Sequence, residues 1–244
     1  MFSIEFIDET TSTNDAVRAS NKPNHVIVAA KQTKGRGQKG NTWESEEGKN
    51  LTFSTLIIPD FLSLTEQFYI SKTVSNSLVI TLKRYGIPAQ VKWPNDIYVG
   101  SKKICGILIE NDVTASGKIL RSTIGVGLNV NQTEFLSDAP NPISMKQVAE
   151  KDFDIENILT TFTKVLELQY KTLEAGYLHE IDTYYENNLY LLNQWAPFKE
   201  GGKAFNGKIV KVKSTGELLV EKDNGEISSY IFKEIEYEIN NIKS

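Results

Sequence analysis

The sequence predicts an α+β fold in two parts, with strands and helices interleaved over residues 1–194 and a small all-β unit over residues 195–244. Three observations carry that prediction. Apolar residues recur at helical intervals in two long stretches, Thr65 to Tyr85 and Ile155 to Leu173. Strand-like segments lie before and between them. From Trp195 onwards the texture changes to short alternating strands separated by turns.

Phe2, Ile4 and Phe6 alternate with polar neighbours, giving an opening strand from Phe2 to Ile7, and Ser12 or Thr13 is placed to cap a short helix running towards Asn21. His25 to Gln32 and Leu51 to Ile58 read as strands flanking a glycine-rich loop. Phe68, Val74, Leu78 and Leu82 mark a helix that stops at Gly86 before Pro88. Asp96 to Val99, Ile104 to Glu110 and Ile119 to Val130 are strand-like, and the turn-rich Thr114-Ala115-Ser116-Gly117 predicts that the last two pair as a hairpin. Ile155, Ile158, Leu159, Phe162, Val165, Leu166, Tyr170 and Leu173 form one face of a second long helix ended by Gly176, and a shorter helix follows over Leu178 to Asn188. Strands at Lys203 to Val212, Glu217 to Glu221 and Glu226 to Phe232 complete the β unit, whose boundary falls near Leu192 to Pro197.

Hydrophobic residues at 40% and charged residues at 24% are ordinary for a globular protein. One cysteine, Cys105, excludes an internal disulfide framework, and two isolated histidines, His25 and His179, exclude the usual zinc spacings, so no metal-ligating set is expected. Cys105 reads as a packed strand residue rather than a nucleophile. No apolar run spans a bilayer, and Met1 to Asp8 turns acidic too soon for a signal peptide, which predicts a cytoplasmic protein without membrane contact. A net charge of -4 and a β unit mixing Lys208, Lys211 and Lys213 with Glu217, Glu221 and Asp223 argue against nucleic-acid binding.

The chemistry is concentrated in four segments: Gly35-Arg36-Gly37-Gln38-Lys39-Gly40, Lys92-Trp93-Pro94-Asn95-Asp96, Lys103-Ile104-Cys105-Gly106 and Gly125-Val126-Gly127-Leu128-Asn129. Glycines that admit close backbone approach, cations that meet phosphate and one carboxylate after a Trp-Pro corner suit a phosphorylated or adenylated ligand. The first segment is not a P-loop, because Asn41 stands where the lysine belongs. Nor is it a dinucleotide fingerprint, since residues 41–48 carry no apolar stripe and lead straight into a strand.

Together with Ser12-Thr13-Asn14, the Gln32-x-x-Gly35-Arg36-Gly37 loop ending at Trp43, and Gly127-Leu128-Asn129-Val130-Asn131, these segments resemble the biotin protein ligase family, in that family's order and over nearly the whole chain. The resemblance implies a mixed-sheet catalytic domain followed by a small SH3-like β-barrel. It implies an ATP-dependent ligase that makes biotinyl-5'-AMP and transfers biotin to a lysine of a biotin carboxyl carrier protein or carboxylase biotinyl domain. Relatives are monomers or homodimers, and the sequence leaves both open. Ser12-Thr13-Asn14 lies so close to Met1 that no winged-helix domain is expected ahead of it. Where many members have Gly-Arg-Gly-Arg-x-Gly-Arg, this chain has Gln38 and Asn41 in place of two arginines. Lys39 restores charge but not a guanidinium fork.

Adenylation brings a carboxylate and a triphosphate together, so positive charge and backbone N–H groups must converge there. Arg36 and Lys103 are the candidate cations, and the Gly35 to Gly40 backbone, with Gly35 and Gly37, the candidate nucleotide cradle. The resemblance places Arg36 at the biotin carboxylate and α-phosphate and Lys103 on the phosphate side. Asp96 is the candidate group for orienting or deprotonating the attacking lysine, its alternative being a turn cap. Asn95 and Asn129 offer hydrogen bonds to ribose, phosphate or the incoming amine. A ureido ring needs donors and acceptors, which Ser12, Thr13 and Gln32 supply, and the resemblance extends biotin binding to Asn14. Gly106, Gly125 and Gly127 are expected to let the ring lie against strand backbone, and Trp43 to cover the ligand loop or join the core. Mg2+ is expected to arrive bridging the phosphates of ATP. The alternative readings are a lipoate or octanoate ligase-like acyltransferase and a protein that binds biotin or biotinyl-adenylate without transferring it.

Overall fold

A parallel pair opens the chain, β1 (Ser3–Thr10) beside β2 (His25–Gln32), joined through α1 (Thr13–Ser20). The structure is a computed structural model describing residues 2–136 and 141–238, the side chain of Lys39 excepted. β3 (Leu51–Ile57), β4 (Ala89–Lys92), β5 (Asp96–Val99), β6 (Lys102–Val113) and β7 (Ile119–Leu128) complete a seven-stranded mixed sheet of order β1-β2-β3-β7-β6-β5-β4. All pairs beyond the first are antiparallel, including the expected β6–β7 hairpin.

α2 (Phe68–Arg84) and α4 (Ile155–Glu174) cover one face of this sheet, as their apolar stripes require. Phe53 of β3 meets Phe162 of α4 with ring centroids 5.2 Å apart. The first of these helices starts later than its periodicity predicts, because Ser63 and Glu66 form a capping box that closes a separate 3-10 turn over Leu64–Glu66. Short α3 (Met145–Ala149) and α5 (Leu178–Asn187) follow the sheet and α4 respectively. The sequence reading misses β4 and α3, which span four and five residues, too short for a period to register, and in the second sheet it also misses the strands over Trp195–Glu200 and Ile235–Tyr237.

β8 (Trp195–Glu200), β9 (Lys203–Val212), β10 (Leu218–Lys222), β11 (Ile227–Tyr230) and β12 (Ile235–Tyr237) form a second, antiparallel sheet of order β11-β10-β9-β8-β12. One hydrophobic cluster runs from Val26 through Val74 and Phe162 to Phe198, Ile209 and Val220, so the two sheets share a core. Polar ties from the first part of the chain reach the second sheet, among them two made by side chains. Trp93 Nε1 donates to the Gly216 carbonyl at 2.8 Å, and the buried Lys72 ammonium donates to Asp182 at 2.6 Å and to the Val212 carbonyl at 3.1 Å.

Candidate active site

Strand register explains why the distant motifs meet. Thr52 of β3, Gly127 of β7, Gly106 of β6, Asp96 of β5 and Lys92 of β4 stand directly opposite one another in one row across the sheet. Ser54, Gly125 and Leu108 form a second row two residues along, on the same face. Phe53, Val126 and Ile107 point the other way into the helix-covered core. Alternate positions along β7 are thus apolar on the core side and bare glycine on the site side, leaving a trough over the backbone. The trough belongs to a cavity of about 650 Å³ lined by every sequence-predicted site residue except Gly35.

At the Gly125 end the groups are prewired. Gln32 Oε1 accepts the Thr13 backbone N–H at 2.8 Å, which fixes the amide and turns Nε2 towards Gly35 as the remaining donor. Thr13 Oγ1 lies 3.2 Å from the same oxygen and 2.7 Å from Ser54 Oγ. Ser12 occupies the N-cap position of α1 without a side-chain cap bond, so neither hydroxyl caps the helix as the sequence reading allowed. Asn14 spends Oδ1 on Ser54 at 2.6 Å and Nδ2 on Glu110 at 2.7 Å. It also lies over Gly125, where a Cβ would come within 2.3 Å of Oδ1.

Trp43 fills the trough at its other end. A Cβ on Gly127 would fall 2.3 Å from the indole Cε2, and one on Gly106 3.1 Å from Cζ3. The indole therefore occupies the backbone surface that the sequence reading reserved for a ligand ring. Its Nε1 is buried with no hydrogen-bond partner among the described residues. The loop that carries Trp43 is also less open than a phosphate cradle. Gly37 N–H donates to the Asn41 carbonyl at 2.7 Å and Trp43 N–H to the Gly35 carbonyl at 3.0 Å, so these two amides are spent inside the loop. Close pairing explains Gly35, whose Cβ would sit 2.7 Å from the Trp43 carbonyl oxygen.

Arg36 leaves this loop to form a bidentate pair with Asp15, at 2.6 and 2.9 Å, with Glu110 at 4.0 Å. The Asp15 carboxylate holds the guanidinium pKa above its ordinary value. Lys103 Nζ lies 2.7 Å from Asp96 Oδ1 and 5.6 Å from the Trp43 ring centroid. Lys92 Nζ instead stands over two aromatic faces, 5.1 Å from Tyr98 and 4.5 Å from Tyr237, and burial pushes its pKa down. Asn95 fastens the turn to β6, donating Nδ2 to the Ile107 carbonyl at 2.8 Å while its own carbonyl accepts the Ile107 N–H. Trp93–Pro94 is a cis peptide. Asn129 Nδ2 donates to the Ile143 carbonyl at 3.1 Å, leaving Oδ1 buried and unpartnered among the described residues.

Several of these groups escape the sequence reading. Asp15 and Glu110 were legible as polar neighbours of motif residues, and Ser54 as a polar residue at an alternate position in an apolar strand. Phe232, which enters the cavity from the connection between β11 and β12, carries no sequence signal. Cys105 is buried in the core, and burial pushes its thiol pKa up, as its packed reading requires. Among the described residues no group of three or more His, Cys, Asp or Glu is placed to hold a metal, and no helix is long and apolar enough to cross a membrane.

The sequence model of the Biotin/lipoate A/B protein ligase family matches residues 3–129. The bifunctional ligase/repressor BirA of Bacillus subtilis is 29% identical over 229 residues, which cover 91% of this chain and 69% of that protein. The human biotin--protein ligase is 29% identical over 217 residues, covering 83% of this chain and 29% of its own length. Among solved structures, the biotin protein ligase of Aquifex aeolicus in complex with biotin and ATP superposes with a TM-score of 0.81 at 26% identity, covering 96% of this chain and 98% of that one.

Proposed function

The chain belongs to the biotin/lipoate A/B protein ligase family, and from that premise we propose that it activates biotin with ATP as biotinyl-5'-AMP and transfers the biotinyl group to a lysine of a carboxyl carrier protein. The observation that carries this reading is the trough: polar groups suited to a ureido ring at the Gly125 end, and cations with a carboxylate at the Gly106 end, along one face of one sheet.

In the first half-reaction a carboxylate oxygen of biotin attacks the α-phosphorus of ATP, and the bond to the β-phosphate breaks with its electron pair leaving on pyrophosphate. Arg36 and Lys103 supply the charge that offsets the meeting of two anions. Mg2+ would belong to the ATP substrate complex, where it would offset phosphate charge alongside Arg36 and Lys103. In the second, a neutral lysine amine attacks the acyl carbon and AMP leaves; Asp96 takes or orients the amine proton. Asn129 Oδ1, an acceptor with its amide already committed, suits an N–H or O–H of the nucleotide and not a phosphate oxygen. On this reading the catalytic part ends near residue 194, and the described residues 195–238 form a β unit that closes the site with Phe232.

Incubation with biotin, ATP and Mg2+, followed by mass spectrometry, tests the proposal. Biotinyl-5'-AMP without carrier, and a biotinylated lysine once a biotinyl domain is added, are expected. Adenylate that forms but never transfers would reduce the protein to a binder of its own product.

A further inference from the structure

Three described cations line the trough cavity, Arg36, Lys92 and Lys103. Two are already matched to carboxylates, Arg36 to Asp15 and Lys103 to Asp96. Lys92 has no carboxylate within ion-pair distance among the described residues, and its ammonium is held between the faces of Tyr98 and Tyr237. Aromatic faces attract a cation electrostatically but neither accept its three N–H donors as an oxygen does nor cancel its charge. Lys92 is therefore a desolvated charge kept in place and left chemically unspent. Its position in the sheet says what it waits for. The row runs Gly127, Gly106, Asp96, Lys92, so Lys92 lies one strand beyond the Asp96–Lys103 pair, on the side away from the Gly125 end.

We propose that Lys92 binds the leaving pyrophosphate, the β- and γ-phosphates of ATP, and so is a further residue of the activation half-reaction. The inference rests on the adenylate-forming reading above. With the reacting carboxylate and α-phosphate at Arg36 and Lys103, the atoms one strand further along are those of the departing group. As the α–β bridging bond breaks, its electron pair goes to the β-phosphate oxygen, and an ammonium facing that oxygen stabilises the charge as it forms. The incoming anion in turn compensates the burial that now depresses the Lys92 pKa. Tyr237 lies on β12, so the second sheet takes part in activation by holding this ammonium. Asp96 is the acidic group facing it from β5, and Lys103 on β6 is the second cation within electrostatic reach.

The test uses the full chain and Lys92→Met, which keeps the unbranched stem that packs between the rings. Titration calorimetry with inorganic pyrophosphate as the probe should show binding to the wild type weakened about tenfold or more in the variant, the usual scale for a charge-assisted contact. Biotin-dependent pyrophosphate exchange should fall with it, through a raised KM for pyrophosphate and MgATP, and by at least tenfold more than transfer from synthetic biotinyl-5'-AMP to a biotinyl domain. Lys92→Arg should recover most of the loss. Equal pyrophosphate affinity in wild type and variant, absence of pyrophosphate binding by the wild type, or a loss falling mainly on transfer would each overturn the proposal. If Lys92→Met does not fold by circular dichroism, Lys92→Gln takes its place in the same comparison. A wild type that binds pyrophosphate but catalyses no biotin-dependent exchange would sink the ligase reading while leaving the anion site standing.

Discussion

Asp96 and Lys103 face each other across the β5–β6 pairing with Oδ1 and Nζ 2.7 Å apart, so the residue read as serving the amine and the residue read as serving phosphate form one ion pair. Each is the other's ion-pair partner. Lys103→Ala should depress biotin-dependent pyrophosphate exchange about a hundredfold or more, the scale for one electrostatic contact to a reacting group. Asp96→Asn should spare exchange relative to transfer, with single-turnover transfer from purified biotinyl-5'-AMP lowered about 10²- to 10⁴-fold. Equal losses in the two half-reactions would make the pair a single organising unit. Because the residues touch, the double variant should lose less than the sum of the two singles.

Arg36 cannot serve a ligand while both its outer nitrogens are bound to Asp15. Arg36→Ala should lower adenylate formation about a hundredfold. Asp15→Asn removes the competitor and should tighten biotin binding by calorimetry. Its cost to stability should stay within about 1 kcal/mol, since both partners are substantially exposed and screened. Weaker biotin binding in Asp15→Asn would mean that the acid positions the guanidinium instead of withholding it.

Gly127→Ala places a methyl group 2.3 Å from the Trp43 indole, so the indole must move. An overpacking cost of about 1–3 kcal/mol is expected in urea unfolding. The more telling readout is the dissociation rate of biotinyl-5'-AMP, which should rise as Trp43 loses its seat; an unchanged rate would separate the indole from ligand retention.

Biotin should support pyrophosphate exchange while octanoate and lipoate do not. Thr13 and Gln32 Oε1 already satisfy each other, so an alkyl chain at the Gly125 end leaves Gln32 Nε2 and the Ser12 hydroxyl without ligand partners, at about 1–3 kcal/mol for each group stranded. Comparable exchange with octanoate would reassign the substrate.

Arg121 and Arg18 hold the Asp112 carboxyl below its ordinary pKa, Arg121 being the larger cause. A depressed carboxyl stabilises the fold above its unfolded pKa, and that contribution disappears as pH falls through the folded value. Asp112→Asn should therefore unfold at lower urea than the wild type at neutral pH, with the gap closing in acid. A gap of the same size at both pH values would assign the effect to packing.

Much of this site was legible in the sequence because its chemistry is local in the chain. Glycines at alternate positions of Gly125-Val126-Gly127 announce a bare strand face, and Lys92-Trp93-Pro94-Asn95-Asp96 announces a turn that presents a carboxylate. What sequence could not convey is which groups satisfy one another. That Arg36 is held by Asp15, that Asn14 serves Ser54 and Glu110, and that Gly37 N–H folds back onto Asn41 all depend on contacts set by tertiary register. The same holds for Phe232 and Tyr237, whose roles arise from the docking of the second sheet and leave no pattern in their own neighbourhood.

The bond from Trp93 Nε1 to the Gly216 carbonyl makes the chain a poor subject for domain surgery. The indole belongs to the turn that presents Asp96, and its acceptor belongs to a tip of the second sheet. A fragment ending before residue 195 would strand a buried donor beside the reacting groups, at about 1–3 kcal/mol. Split-protein reporters cut between the two sheets would consequently regain activity only when the halves reassemble closely enough to remake that one contact, which turns a structural tie into a stringent proximity gate.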